Sequence, residues 1–141
     1  MGKQRGATGL EPVCLALVLC DYVHIDPITS RRSMLGAFYE IDSPRFPMVY
    51  PKMAVYVAVT DGRGKIPLTI RMIDVDESDE PIWSDTQDVN FEDPQRVKEL
   101  VIEILNVPFQ DAGIYRLQLL AGNATILERS VFLHETPAQE E

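Results

Sequence analysis

The chain is short of the groups on which most site chemistry depends. It has two cysteines (Cys14, Cys20), two histidines (His24, His134) and one tryptophan (Trp83) in 141 residues. His24 and Asp26 form an H-x-D pair on one strand face, but a transition-metal site takes three or four ligands, and His134 lies at the far end of the chain. Positive charge is scarce as well. Thirteen Lys and Arg stand against 22 Asp and Glu, and the net charge of -9 argues against a nucleic-acid backbone or an anionic membrane as partner. Long apolar runs are missing too: none approaches the roughly 18 residues of a membrane-spanning helix, so a soluble protein is expected.

What the chain does have is a core. Hydrophobic residues make up 45% of it, enough for one domain of this size and too many for a disordered segment. Periodicity places that domain at 13–134, between an N-terminal tail (1–12) and an acidic C-terminal tail (135–141). Lys3 and Arg5 precede the apolar run Val13 to Cys20, yet Leu19 stands where a lipoprotein site needs a small residue, and no small-x-small cleavage site follows. Gly6 stands where myristoylation wants Ser or Thr. Cys14 and Cys20 fall on one strand, ~20 Å apart at about 3.3 Å per residue, too far to bond to each other. Unpaired cysteines fit a reducing compartment, and a cytoplasmic location is expected.

Val13 to Ile25 begins apolar on both alternating faces, as a central strand does. Turn chemistry at Pro27 to Arg32 makes Met34 to Ile41 its hairpin partner. Asp42 to Lys52 carries Pro44, Pro47 and Pro51 and reads as a loop. Met53 to Thr60, the loop Asp61 to Lys65 and Ile66 to Val75 read as a second hairpin. An acidic loop, Asp76 to Glu80, leads to Pro81 to Val89, a polar edge strand anchored by Trp83. Residues 97–106 fit both helical spacing and alternation; the surrounding sheet favours a strand. Tyr115 to Ala121, the Gly122-Asn123 turn and Thr125 to Leu133 form a last hairpin. The fold class is therefore all-β: a single-domain, immunoglobulin-like antiparallel β-sandwich.

One motif is specific. Asp111-Ala112-Gly113-Ile114-Tyr115-Arg116-Leu117 resembles the D-x-G-x-Y-x-C signature of immunoglobulin-like sandwiches, which assigns Tyr115, Asp111 and Gly113 structural roles in a tyrosine corner. Leu117 replaces the family's cysteine, so the disulfide is absent. Over a longer span, Leu19-Cys20-Asp21, Leu35-Gly36-Ala37-Phe38, Phe46-Pro47 and Val59-Thr60-Asp61, followed by the corner, are similar to a family of small bacterial proteins with no assigned function. That resemblance covers most of residues 15 to 134 and implies a fold without implying catalytic residues.

Candidate chemistry is thin elsewhere. Cys20 and His24 share a strand face but stand ~13 Å apart, beyond a nucleophile–base hydrogen bond. Gly62-x-Gly64-Lys65 lacks the first glycine and the final hydroxyl of a phosphate loop. Asn123-Ala124-Thr125 matches a glycosylation sequon, but its Gly-Asn pair is what a tight turn selects. The run Asp74 to Glu80 is richest in oxygen ligands, with Asp74, Asp76, Asp79 and Glu80 as calcium candidates, although it lacks the glycine and the terminal glutamate of an EF-hand. No catalytic residue, cofactor or established metal site follows. The expectation is a non-catalytic binding or scaffolding module with a protein partner. Its contact surface, where loops 42–52, 76–80 and 107–113 meet, includes Phe46, Tyr50, Phe109 and Glu77. A cation- or small-ligand-binding role for the acidic loop is the alternative.

Overall fold

The computed structural model describes residues 11–77 and 80–137, and among them the chain forms nine β-strands and no helix. One sheet takes β1 (Val13–Ile25), β2 (Arg32–Ala37), β4 (Met48–Thr60) and β7 (Lys98–Phe109), in the order β2-β1-β4-β7. The other takes β3 (Glu40–Ser43), β5 (Gly64–Asp74), β6 (Trp83–Phe91), β8 (Gly113–Ala121) and β9 (Ala124–Glu135), in the order β3-β9-β8-β5-β6. Neighbours are antiparallel except β3 and β9, which run parallel.

Alternation explains the layering. Leu17 and Leu19 of β1, with Met53, Val55, Val57 and Val59 of β4, face Leu68, Ile70 and Met72 of β5 and Leu117 and Leu119 of β8 in one buried core. Val131 and Leu133 of β9 close it. The opposite face of β4 is apolar for a separate reason: Ala54, Tyr56 and Ala58 pack with Cys20 and Val23 in a second, smaller cluster. Small side chains there let the β1–β2 hairpin lie close to the sheet, and Arg32 of that hairpin reaches Glu99 of β7 at 3.0 Å.

The connectivity is immunoglobulin-like. β5, β8 and β9 occupy the places of strands C, F and G, β1, β4 and β7 those of A, B and E, and the tyrosine corner falls at the start of the F-equivalent strand. Three local expectations change. Met53–Thr60 and Ile66–Val75 are not a hairpin: β4 and β5 lie in different sheets and face each other across the core, and the Asp61 amide bonds Pro94 O at 2.8 Å as the chain crosses over. Met34–Ile41 is not one strand. Its break falls at Phe38 and Tyr39, where Phe38 N donates to Leu19 O in the first sheet and Tyr39 O accepts from Phe132 N in the second.

The proline-rich stretch 42–52 is also partly strand, because β4 begins at Met48. Pairing of β1 with β4 ends at Cys20 and Ala54, so β4 is paired over 48–52 only with β7. A proline at 51 survives there because the strand is no longer central. Residues 98–109 are strand, as the alternation indicates, and the strand runs past Leu105 to Phe109.

Candidate functional site

The corner comes first, because it positions everything around it. Tyr115 is buried at the start of β8, and its hydroxyl donates to Asp111 O at 2.7 Å while the Asp111 amide donates back to the Tyr115 hydroxyl oxygen at 3.4 Å. Phe109 packs edge-on against the Tyr115 ring, centroids 5.0 Å apart. Gly113 has φ 146°, a conformation that side-chain-bearing residues rarely adopt, so the short turn between β7 and β8 needs glycine there. Burial pushes the Tyr115 phenol up, and the nearby Asp74 carboxylate adds to that, so it stays a neutral donor.

The acidic segment is set directly against this corner. Asp74, the last residue of β5, pairs with Tyr115 in register, and Val75 N donates to Ile114 O. The chain then turns, with Asp76 N on the Asp74 carboxylate at 3.0 Å and Glu77 N on Asp74 O at 3.1 Å. The result is an open cleft of 610 Å³ at one end of the sandwich, lined by Asp74, Asp76, Glu77, Glu80, Asp111 and Tyr115 together with Ile82 and Gln110. Among the described residues, five carboxylates line it and no Lys or Arg does. Two loops distant in sequence thus form one anionic surface.

The sequence-derived residues divide on this geometry. Glu77, Asp111 and the calcium candidates Asp74, Asp76 and Glu80 come together, while Asp79 lies outside the described residues. Among the described residues, no three His, Cys, Asp or Glu side chains converge closely enough to hold a metal ion. Phe109 is not a surface residue: it is fully buried, because at the end of β7 its ring is the partner that Tyr115 packs against. Phe46 and Tyr50 are half-buried against the core and are not among the residues that line this cleft. Tyr50 instead lines a shallower groove with Phe38, Asp21, Glu40 and Asp42, its hydroxyl 3.5 Å from Asp21. Gln110 and Ile82 were missed, since a polar residue and an aliphatic one in turns carry no sequence signal of a cleft.

The cysteines and Asp26 are tied into the scaffold. Burial raises both thiols, Cys14 and Cys20, above the ordinary cysteine range. Asp26 caps the hairpin turn by accepting from Ile28 N and Thr29 N, and those hydrogen bonds lower its pKa. A polar triad that the sequence did not reveal lies on the outer face: Tyr56 donates to Glu99, which also pairs with Arg32. Burial first, then the Glu99 hydrogen bond, push the Tyr56 phenol up to about 12.

Against this geometry stands one match of the whole domain: residues 15–133 fit the model of the family of unknown function DUF6941. The chain belongs to that family. The DUF6941 match spans β1 to β9, corner and acidic segment included. No curated protein is similar enough to match it. Among solved structures, it is similar to an immunoglobulin-like protein from Pseudomonas aeruginosa (14% identity, TM-score 0.44), over 90% of this chain and 99% of that one. It is also similar to part of a β-glucosidase from Listeria innocua solved with isofagomine (14% identity, TM-score 0.47); the match covers 71% of this chain but only 15% of the glucosidase. Neither likeness carries an activity to the DUF6941 domain. Among the described residues, no helix is long and apolar enough to cross a membrane.

Proposed function

We propose that this DUF6941 domain is a non-catalytic binding module that receives a basic segment of a protein partner in its acidic end cleft. The observation that supports this is the cleft's lining: five carboxylates from two loops, no basic side chain, and a rigid hydrogen-bonded corner beneath them. Concentrated charge of one sign on a fixed scaffold steers an oppositely charged partner and sets its orientation. Loops held by a rigid sheet suit recognition without needing a nucleophile. The carboxylates are spread along the cleft and do not converge on one point, which favours an extended cationic segment over a single ion. With two free thiols, the proposed location is the reducing cytoplasm.

Titrating the labelled protein with a Lys- and Arg-rich peptide while following backbone amide resonances tests the reading. Shifts should concentrate at Asp76, Glu77, Glu80, Gln110 and Asp111, weaken with added salt, and vanish in an Asp76→Asn, Glu77→Gln variant. Shifts spread over the rest of the surface, or saturable changes with calcium alone at the same residues, would replace the peptide reading.

A further inference from the structure

Two strand edges of opposite charge are left open in the sandwich. β2 is the outer strand of the first sheet and β6 the outer strand of the second. The end of β2 shares a groove with β3, while its start lies over the outer face of the first sheet, where Arg32 meets Glu99 of β7. β6 ends the second sheet, four places from β3. An open edge presents unpaired backbone donors and acceptors to any extended segment.

Charge decides which segment fits. From Pro27 to Tyr39, through the turn and all of β2, the chain carries Arg31 and Arg32 and no acid. From Met72 to Gln95, through all of β6, it carries acids, among them Asp85 and Asp88, and no Lys or Arg. Arg32 is engaged by Glu99, whereas Arg31 is exposed and no side-chain partner is seen for it among the described residues. Two β6 edges repel each other, and two β2 edges likewise; β2 against β6 attracts. The other open edges do not compete. β3 is only four residues long, and β7 has its acids Glu99 and Glu103 already paired with Arg32 and Lys52.

We infer that β2 of one copy docks on β6 of a second copy, joining molecules head to tail through a continued sheet. An antiparallel register sets Arg31, at the start of β2, toward the Asp88 end of β6, and brings the exposed Met34 and Leu35 alongside the polar middle of that strand. Because the two edges are different surfaces, the contact is heterologous, and repeated head to tail it adds copies. The surface borders the acidic cleft at Ile82, but Asp85 and Asp88 do not line that cleft, so variants at these two residues test this reading apart from the other.

Sedimentation over a wide concentration range tests this. At low ionic strength the average mass should climb above the 15.9 kDa monomer as concentration rises, and added salt should return it to the monomer. Arg31→Glu alone and Asp85→Lys with Asp88→Lys should each abolish the rise; all three changes together should restore it. A chain that stays monomeric at low salt, or association that survives either reversal, overturns the proposal. Salt dependence of the unmodified protein stands independently if a variant folds poorly. An acidic peptide from another protein would appear as monomers that bind it through Arg31 without self-association, which also overturns it.

Discussion

At the scale of single residues, the corner and one close approach carry the most testable content. Tyr115→Phe deletes the donor to Asp111 O, a part-buried hydrogen bond that pins the turn, at a cost of about 1 kcal/mol. Its denaturant midpoint should fall with no change in the slope of the transition, and binding at the cleft should survive at low temperature. Gly62 is a sharper case. An added Cβ would sit 2.7 Å from the Phe91 ring, itself buried in the core, so Gly62→Ala forces aromatic repacking that costs on the order of 1–3 kcal/mol. Thermal unfolding compared with Gly64→Ala, which meets no atom within 4 Å but has φ 70°, separates crowding from backbone strain.

At the scale of elements, strand existence was readable, and so was partnership across tight turns, as in the β1–β2 and β8–β9 hairpins, but not partnership across a change of sheet. β1, β6, β8 and β9 follow directly from alternation and turn chemistry, and the corner motif names the β7–β8 connection. The β4–β5 pair was misread because a glycine-rich loop between two strands fits a hairpin and a crossover equally well; only the apolar face of each strand, which needs an opposing layer, distinguishes them. Pro51 misled for a related reason, since a proline marks the absence of a paired neighbour on one side and says nothing of the other. The acidic loop was legible as chemistry, and its meeting with the 107–113 loop was expected; the parts that Gln110 and Ile82 play in the cleft depend on which strand β5 pairs with, information that sequence spacing does not contain.

Cross-strand chemistry on the outer face gives this scale its own prediction. Tyr56 holds its proton to about 12, above the usual phenol value of 10.0, because it is buried and bonded to Glu99. A folded-state pKa raised in this way adds stability that is fully present below the unfolded value and is lost as pH rises from about 10 through about 12. In Tyr56→Phe that alkaline loss should shrink, and the highest step in the tyrosinate absorbance titration of the folded protein should disappear. Arg32→Ala should lower stability by about 0.5–1 kcal/mol, by freeing the hairpin from β7.

At the scale of the whole molecule, an excess of nine negative charges and a cleft of like charge oppose compactness. The five carboxylates of the described lining carry like charge, and like charges around one opening repel one another through a screened medium. Stability alone would not select that arrangement, whereas a cationic partner that neutralises it would. Replacing Asp76 by Asn and Glu77 by Gln removes two of these charges without changing side-chain size. The melting temperature at low ionic strength should then rise by about 1–3 °C, the shift that roughly 0.5 kcal/mol produces in a domain of this length. The gain should fade in high salt, where the repulsion is already screened, and the same variant should lose the basic peptide. A variant that melts lower than wild type at low salt would mean that the carboxylates support the fold, and the cleft would then be part of the scaffold.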